Sequence, residues 1–471
     1  MKRPGFWVPV LFVGLLVILF YLNSDGLFDS SDGIRHFEIS RFSWNHPELF
    51  LHHWGKPFFT LISSPFSQAG INGILLFNFI CGMGSGIIIQ NFLRRSAMTP
   101  PWLGLMLLFG APVFFGTLFS GLTEPFFAFV LSLGIYLLYY QKFVPALLLL
   151  GALPFIRTEG FLLLPVWIFY CLTKNKTKYV WLPLVGTVVY TISGGLVYGD
   201  FLWIIHQNPY TGNNPYYGAG SLFYFIGKNE FIWGIPGFVL LITGLVSPII
   251  GIWKKNRINS DLLFLIYVPF LIFFLAHSLL WFLGNGGSIG LIRVFAGVAP
   301  LTALIGVFGF QTFANLFRLS GKSWMIAAGI ISLGALFYPV KQFWPGFQKD
   351  HETEVIEAAV ETTRAGIGEE TIIYYQHPGI TYALNRDPFN ENLCRELWFL
   401  PKDNPGSHLK PGTLIFWDSH YGKYEAGIDA DALEADSLLS RIARFKSKSS
   451  EHDLGLGTAF YEVRVYKRVA Q

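Results

Sequence analysis

The chain has 471 residues, of which 52% are hydrophobic, 17% aromatic and only 14% charged, with a formal net charge of +4. Its apolar residues form repeated runs close to the ~20 residues that a helix needs to cross a bilayer. This composition excludes a water-soluble globular protein and predicts an all-α polytopic membrane protein. Cys81 and Cys171 lie in apolar runs and Cys394 stands alone in a polar tail, so no disulfide framework or metal–thiolate site is expected.

The apolar runs predict about eleven membrane helices. The first run resembles a signal peptide, but no small-x-small cleavage site follows it, and we therefore interpret it as the first span. The fifth and sixth spans are short and are expected to be tilted or broken and to pack against neighbouring helices. The predicted spans are 6–22, 71–90, 102–119, 122–140, 143–156, 160–172, 179–198, 232–252, 261–282, 292–313 and 323–340.

The basic connectors predict the orientation of these spans. All of them fall on one side of the membrane if the N-terminus is cytoplasmic, as the positive-inside rule requires. The loops 23–70 and 198–230 are then extracytoplasmic, and the membrane domain covers residues 1–340. The connectors are Lys2/Arg3, Arg94/Arg95, Lys142, Lys174/Lys176/Lys178, Lys254/Lys255/Arg257 and Arg318/Lys322.

Residues 341–471 differ in composition and are predicted to form a small extracytoplasmic α/β domain. Apolar residues recur at helical spacing in 355–360 and 438–445. The apolar runs 371–375 and 413–417 predict buried strands, and the alternation at 461–465 predicts a half-exposed strand.

Polar residues of the first outer loop are the leading candidates for chemistry. Asp29 and Asp32 form an acidic pair just after the first span, and His36, Glu38 and Lys56 follow within the same loop. A carboxylate there is suited to accept a proton from an acceptor hydroxyl, and the lysine to hold an anionic headgroup.

Ionisable residues near the outer ends of later spans are expected to face this loop, because such groups are costly in a membrane and usually have partners or functions. Glu124 opens the fourth span, Arg157 and Glu159 connect the fifth and sixth, and Arg293 opens the tenth. The aromatic loop 198–230, with Trp203, Tyr210, Tyr216 and Tyr217, is suited either to contact sugar rings or lipid or to anchor at the interface.

Each of these residues also has a structural interpretation. Asp32 is suited to cap a short loop helix, and Lys56 to snorkel towards the headgroups. Arg157 and Glu159 are suited to form a structural ion pair. Glu124 is suited to pair with a neighbouring arginine or with the backbone, and Arg293 is suited to anchor the chain at the membrane interface. The loop histidines His36, His46, His52 and His53 match no tight ligand spacing, so no metal site is predicted.

Four motifs resemble the GT-C superfamily of membrane glycosyltransferases, which includes protein O-mannosyltransferases and aminoarabinose transferases. They are Asp29-x-x-Asp32, Lys56-Pro57, Thr123-Glu124-Pro125, which resembles the TEP pattern, and Arg157-Thr158-Glu159-Gly160, which resembles the RxEG pattern. Many relatives have adjacent acids or Asp-x-Asp in the first loop, so the wider spacing here leaves open which aspartate is the important one. We favour Asp32, because it directly precedes the apparent loop helix.

The resemblance implies an inverting transfer of a sugar from a polyprenyl-phosphate donor to an acceptor hydroxyl of a lipid, glycan or protein. The single-domain tail, the sparse cysteines and the compact loops favour the outer face of a bacterial inner membrane over an endoplasmic reticulum. It implies that Asp32 is the base and that Asp29 and Glu38 are further catalytic candidates. The groups implied around the donor phosphate are Lys56, Arg157 and Arg293. The implied supporting residues are Glu124, Glu159 and His36. No nucleic-acid partner is expected, no organic cofactor is implied, and a divalent cation remains an open alternative.

Two other classes of function remain as alternatives: a lipid or solute transporter, in which the same charges line a path, and a non-catalytic scaffold of the cell envelope. Transporters more often show paired repeats and broken helices in both halves of the chain. Here the charged residues gather at one face and leave the membrane midplane nearly free of charge, which favours surface chemistry.

Overall fold

The structure is a computed structural model that describes residues 4–98, 100–209, 218–253, 259–286, 288–449, 451–453 and 457–470. Several residues used in the sequence predictions lie outside the described residues. They are Lys2, Arg3, Tyr210, Tyr216, Tyr217, Lys254, Lys255 and Arg257.

The first part of the chain is helical, because its long apolar stretches satisfy their backbone hydrogen bonds internally, as a bilayer requires. Its α-helices are α1 Pro4–Leu22, α2 Asp32–Phe42, α3 Pro57–Ser67, α4 Ile71–Arg95, α5 Trp102–Phe109, α6 Pro112–Thr117, α7 Glu124–Tyr139, α8 Phe143–Gly151, α9 Leu164–Thr173, α10 Val185–Tyr198, α11 Trp203–His206, α12 Tyr224–Gly227, α13 Asn229–Ile232, α14 Gly234–Trp253, α15 Ser260–Leu262, α16 Val268–Leu283, α17 Ala299–Leu316 and α18 Gly321–Phe343. Short 3-10 turns, among them Pro47–Leu51, Leu153–Phe155, Thr158–Leu163 and Ile292–Val298, and a π turn at Leu263–Tyr267 join or extend these helices.

By length and composition, six helical segments of the described chain suffice to cross a membrane, and the chain is a multi-pass membrane protein. These are Gly5–Leu22, Ile71–Arg95, Thr177–Tyr198, Ser260–Leu283, Ile292–Leu316 and Gly321–Phe343. Four shorter apolar segments, Glu124–Tyr139, Phe143–Phe155, Thr158–Thr173 and Gly234–Ile249, coincide with further predicted spans. The predicted span 102–119 is instead the two short helices α5 and α6, which are separated at Gly110 and Ala111.

Glycines allow the central helices to approach closely. A Cβ atom at Gly244 of α14 would collide with the carbonyl oxygen of Ile305 in α17, and one at Gly309 of α17 would collide with that of Leu240. Small residues at such crossings are a general feature of membrane helix packing, since lipid provides no hydrophobic driving force between helices. The span Ile292–Leu316 is consequently the most enclosed of the six.

The C-terminal part forms a five-stranded mixed sheet with helices packed against it. The strands are β1 Ile373–Tyr375, β2 Cys394–Glu396, β3 Leu414–Asp418, β4 Leu439–Lys446 and β7 Glu462–Arg468, and the order in the sheet is β2-β1-β3-β7-β4. A separate two-stranded sheet contains β5 Glu451–Asp453 and β6 Gly457–Ala459. The helices of this part are α19 His351–Thr363, α20 Pro378–Leu384 and α21 Ala430–Ala435.

Most of the local predictions for this domain are confirmed. The apolar positions at 355–360 lie on α19 and pack on Tyr375, Phe416 and Val463 of the sheet. The range 371–375 contains β1, and the range 413–417 overlaps all but the last residue of β3. The predicted helix at 438–445 is wrong, because this segment is strand β4, which pairs with β7. The apolar residues of this strand are spaced as in a helix because Ile442 is exposed and the register of the pairing with β7 shifts between Arg441 and Ala443.

The strand predicted at 461–465 exists as β7, but it is not half-exposed. It lies between β3 and β4, so both edges are hydrogen-bonded. Val463 and Val465 face one apolar core of the domain and Tyr466 faces the other, which covers both surfaces of the strand.

The C-terminal domain docks onto the loop 23–70 through pairs of polar side chains. The Ser30 hydroxyl donates to Asp350, and Arg35 is paired with Glu396. The Thr381 hydroxyl donates to Glu38 Oε1 at 2.8 Å, and His46 Nε2 lies 2.8 Å from Asp387 Oδ2. Each contact joins residues more than three hundred positions apart, so the loop and the domain fold as one unit.

Glu38 should make this docked state sensitive to pH. Its side chain is buried, and burial raises its pKa to about 8. Between about pH 4.5 and pH 8 the carboxyl keeps its proton in the folded protein but has lost it in the unfolded chain. The free energy of unfolding is therefore expected to fall as the pH rises through this range. We expect Glu38→Gln, whose amide oxygen still accepts from Thr381, to raise the melting temperature in detergent more at pH 8 than at pH 5.

The matched control is Glu361→Gln, because the Glu361 side chain is 81% exposed. This variant should follow the wild type at both pH values. An equal effect of Glu38→Gln at pH 5 and pH 8 would contradict the assigned role of the buried carboxyl.

Candidate active site

Arg293 joins the outer loop to the membrane helices. It lies in the 3-10 turn that precedes α17, and its guanidinium pairs with Oδ2 of Asp29 and with Oδ2 of Asp32. Its Nε also lies 3.9 Å from Glu124 Oε1. Two neighbouring carboxylates repel each other unless a cation lies between them, so Arg293 is what allows this arrangement. Arg293 is therefore an ion-pair partner of the loop carboxylates, and its interpretation as an interfacial anchor stays an untested alternative.

The two aspartates have different environments. Asp29 Oδ1 accepts hydrogen bonds from the backbone N–H of Gly33 at 2.7 Å and of Ser31 at 3.3 Å, so Asp29 caps helix α2. Asp32 is the first residue of that helix, and the capping role considered for it is taken by Asp29. The Asp29 side chain is 11% exposed and that of Asp32 is 34% exposed. Asp32 is consequently the more accessible of the two carboxylates.

The position of the acidic loop is set by backbone contacts. The Phe28 N–H donates to the Phe119 carbonyl at 3.0 Å, and the Gly33 and Gly121 backbones are so close that a Cβ atom at Gly121 would collide with the Gly33 carbonyl. The buried amide of Asn78 in α4 donates to the Ser120 carbonyl at 2.7 Å and to that of Leu122 at 3.0 Å. Asn78 thus fixes the turn on which the loop rests.

Arg157 extends the network on the membrane side. Its Nη1 lies 2.6 Å from Glu124 Oε1 and its Nη2 lies 2.8 Å from Glu159 Oε1. His277 Nε2 lies 3.6 Å from the same oxygen of Glu159. The expected Arg157–Glu159 ion pair and the pairing of Glu124 with an arginine are both observed. These pairings do not exclude a role in substrate binding, because Arg157 and Glu159 retain partial exposure.

Lys56 is buried beside these charges. Its Nζ donates to the Thr158 hydroxyl at 3.0 Å, so its interpretation as a snorkelling residue is wrong. Burial lowers the pKa of Lys56 to about 7, even though the carboxylate of Glu159 opposes that shift. Its φ of 64° is rare for a residue with a side chain, and such strain often marks a functional position. Pro57 begins α3 directly after it.

Two other candidates from the loop lie away from the carboxylate pair. The His36 ring stacks on Trp54 with centroids 4.4 Å apart, and burial lowers its pKa, with Lys56 and the two arginines contributing. Glu38 contacts Arg35 and Thr381 at the boundary with the C-terminal domain. The structure therefore brings together seven of the nine candidate residues: Asp29, Asp32, Lys56, Glu124, Arg157, Glu159 and Arg293.

Other loop residues have structural contacts. Gly55 N–H donates to His52 Nδ1 at 3.1 Å, and His53 Nε2 lies 3.0 Å from the Ile204 carbonyl. The indole of Trp203 is buried and donates to the Tyr190 carbonyl at 2.8 Å, so it anchors the second outer loop. Among the residues described, no group of three or more His, Cys, Asp or Glu side chains is arranged to hold a metal ion.

Sequence reasoning missed three polar residues of this region. Asn78 and His277 lie in predicted spans, where a polar side chain is itself a signal of a buried partner. Thr158 lies inside the RxEG-like motif, at its variable position. Their partners are distant in sequence, so only the fold shows which groups they meet.

Arg157 should be essential for stability because Glu124 is almost completely buried. Removal of one partner of a buried ion pair leaves an uncompensated charge and typically costs about 3 kcal/mol or more. We expect Arg157→Gln to lower the melting temperature in detergent strongly. Glu159→Gln, which alters a more exposed partner of the same arginine, should lower it less.

The double variant Glu124→Gln/Arg157→Gln should recover much of the stability lost in Arg157→Gln, since it removes the unpaired charge. If the double variant loses as much stability as the two single variants together, the Glu124–Arg157 pairing does not determine the effect.

No protein-family model matches the chain, and no curated protein sequence matches it. Several solved structures share its fold, and two of them are membrane proteins of known class. ArnT from Cupriavidus metallidurans, bound to undecaprenyl phosphate, matches with a TM-score of 0.62 at 13% identity over 98% of each chain. The Archaeoglobus fulgidus oligosaccharyltransferase, in complex with zinc and sulfate, matches with a TM-score of 0.56 at 13% identity, over 89% of this chain and 69% of that one. The chain therefore shares the fold of these two proteins, in agreement with the fold that the GT-C resemblance implied.

Proposed function

We propose that the protein is a GT-C glycosyltransferase that moves a sugar from a polyprenyl-phosphate donor to an acceptor hydroxyl. The observation that carries this proposal is the partly exposed carboxylate of Asp32, which is held by Arg293 near the buried side chain of Lys56. A base and a phosphate-binding cation are the two groups that such a transfer requires. The fold shared with ArnT, whose structure contains undecaprenyl phosphate, supports the same donor class.

The transfer is a single displacement. Asp32 accepts the proton of the acceptor hydroxyl as the hydroxyl oxygen attacks the anomeric carbon of the donor. The bond between that carbon and the phosphate oxygen breaks, and the polyprenyl phosphate leaves with the electron pair. The attacking oxygen and the leaving group occupy opposite faces of the sugar, so the configuration at the anomeric carbon inverts.

Lys56 is the principal phosphate-binding group in this mechanism. Its Nζ is buried beside the Thr158 hydroxyl and lies within the electrostatic reach of Asp32, so it is placed to hold a donor phosphate near the proposed base. Arg157 adds positive charge nearby, and Arg293 orients Asp32. Glu124 and Glu159 keep the arginines in place, His36 stacks on Trp54 within the loop that carries Lys56, and Asp29 holds the loop conformation.

Glu38 fits a docking role better than a catalytic one. It is buried against Thr381, whereas a general base must reach the hydroxyl that it deprotonates. We assign catalysis to Asp32 and leave to Glu38 the contact between the loop and the C-terminal domain.

The proposed site faces the extracytoplasmic side of a bacterial inner membrane, with the N-terminus in the cytoplasm. The basic connectors support this orientation through the positive-inside rule. The C-terminal domain contacts the same loop as the site, so both are on one side of the membrane.

Transfer of radiolabelled sugar from a panel of polyprenyl-phosphate sugars to lipid, glycan and peptide acceptors would test this function. Mannosyl and other hexosyl donors belong in the panel together with aminoarabinosyl donors, because the sugar distinguishes the subgroups of the superfamily. Parallel reactions with a chelator would decide whether a divalent cation takes part. Donor binding without transfer to any acceptor would favour a transporter or scaffold instead.

Asp32→Asn should remove the base with little change in shape. We expect transfer to fall by about 10²–10⁴-fold while the melting temperature and donor binding remain near those of the wild type. Asp29→Asn is the matched comparison, since its amide oxygen still accepts from Gly33, and it should lose less activity than Asp32→Asn. Full transfer by a folded Asp32→Asn protein would eliminate the proposed base.

Lys56 should make donor binding dependent on pH. Its pKa of about 7 means that the side chain is charged below that pH and neutral above it. A phosphodiester donor keeps a constant charge across this range, so above pH 7 its binding must be accompanied by uptake of one proton. We expect the Kd of the donor to be flat below pH 7 and to rise by up to about tenfold per pH unit above it.

Lys56→Arg keeps the charge at all these pH values and should remove the dependence, because arginine does not lose its proton. Lys56→Met should weaken binding at every pH. A Kd of the wild type that stays constant from pH 6 to pH 9 would show that Lys56 does not bind the phosphate as its cation.

A further inference from the structure

Helix α3, which directly follows Lys56, has its apolar side turned outward and its polar side turned inward. The outer side chains follow the helical spacing i, i+3, i+4, i+7, and the first is half-buried while the other three are exposed. These four residues, which we call the outward stripe, are Phe58, Leu61, Ile62 and Pro65. The buried side carries four hydroxyl side chains, Thr60, Ser63, Ser64 and Ser67. A helix on a water-covered surface has the opposite arrangement, so contact with water does not explain this one.

The inward hydroxyls have partners in the same loop. Ser63 Oγ lies 2.8 Å from Ser40 Oγ of α2, and the Thr60 hydroxyl donates to the Gly55 carbonyl at 2.9 Å. Burial of a hydroxyl is costly unless it is hydrogen-bonded, and these bonds remove that cost. The polar side of α3 therefore packs towards α2, the helix that begins with the proposed base.

Helix α3 packs against the outer turns of two apolar helices. The Phe59 ring lies 5.9 Å from the Phe77 ring of α4 and 6.4 Å from the Phe126 ring of α7. The Phe66 ring, near the other end of α3, lies 5.2 Å from Phe77. Helix α4 is long and apolar enough to cross a membrane, and Phe77 lies about 9 Å along it from its N-terminal end. Helix α3 is therefore beside a part of α4 that lies within the bilayer.

An exposed apolar surface of α4 adjoins this contact. The backbones of α3 and α4 are so close that a Cβ atom at Gly73 would collide with the Phe66 carbonyl oxygen. Leu76 and Ile80 follow Gly73 at helical spacing on the same face of α4, and they are 51% and 48% exposed. Lipid acyl chains cover such side chains of a membrane span, and the outward stripe extends that surface.

We propose that α3 is inserted in the outer leaflet of the membrane, with the outward stripe against lipid acyl chains, and that this insertion fixes Lys56 at the membrane surface. Amphipathic helices bury their apolar face in this way at the boundary of headgroups and acyl chains. Lys56 directly precedes the helix, and its carbonyl accepts the N–H of Thr60 at 2.9 Å, so the two move together. Only the use of Lys56 for a donor phosphate rests on the proposed function; the insertion itself does not.

A nitroxide label attached to Leu61→Cys in the full-length protein in nanodiscs tests the insertion. We expect the label to collide more with oxygen, which concentrates among acyl chains, than with a water-soluble nickel chelate. Leu76→Cys is the lipid reference, and Glu361→Cys, at a side chain that is 81% exposed on α19, is the water reference. The three native cysteines are buried, and labelling of the wild type measures their background.

The other possible coverings of the stripe give different results. A Leu61→Cys label as accessible to the nickel chelate as the Glu361→Cys label would overturn the proposal. A label protected from both reagents would show that protein covers the stripe, either this chain or a second copy, and would also overturn it. Added polyprenyl phosphate should leave the spectrum unchanged, whereas immobilisation of the label would assign the stripe to an isoprenoid chain and overturn the assignment to bulk lipid.

Hydrogen–deuterium exchange in nanodiscs tests whether the insertion holds Lys56. The double variant Leu61→Ser/Ile62→Ser weakens the apolar side and keeps the buried hydroxyls. It should raise the exchange of the Thr60 amide, which closes the first turn on Lys56, by about tenfold. Leu333→Ser, at a 69% exposed position of α18, is the matched control and should leave this amide unchanged.

An unchanged Thr60 amide in the double variant would overturn the hold on Lys56. Neither measurement requires sugar transfer, so a protein that transfers no sugar would refute the proposed function and leave the insertion of α3 to be decided by the label.

Discussion

The structure of the acidic loop depends on one contact, the bridge that Arg293 forms between Asp29 and Asp32. Arg293 comes from a membrane span, and Asp29 and Asp32 come from a loop that follows the first span. Without the arginine the two carboxylates would repel each other and the loop would lose its main attachment to α17. The second arginine, Arg157, shares Glu124 with the first, so the charges form one continuous chain from Glu159 to Asp32.

Such a network is costly to bury, and its presence at one face indicates a use. Replacement of buried ion pairs by apolar residues is often neutral for stability, so stability alone does not explain their retention. The strained backbone of Lys56 leads to the same conclusion, because a glycine would adopt that φ at lower cost. Charge and strain are combined within the same small region, as is common at sites that bind or transform a substrate.

The sequence was a good guide to the elements and to the residue types of the site, and a poor guide to the pairings. Apolar runs of span length predicted the helical part, since a bilayer permits little else, and the TEP-like and RxEG-like motifs pointed to Glu124, Arg157 and Glu159. The capping by Asp29 was not predictable from spacing alone, because Asp32 occupies an equally suitable position. Strand β4 was mistaken for a helix because exposure of Ile442 and the slipped pairing hide its alternation. The burial of Glu38 depends on a contact with Thr381, hundreds of residues away, which local patterns do not contain.

The docking of the C-terminal domain has a consequence for biogenesis. Ser30 and Arg35 are synthesised more than three hundred residues before their partners Asp350 and Glu396. The first loop must therefore wait until the C-terminal domain has been synthesised before its surroundings are complete. A polypeptide that stops before this domain would carry the acidic pair without the contacts that order the loop.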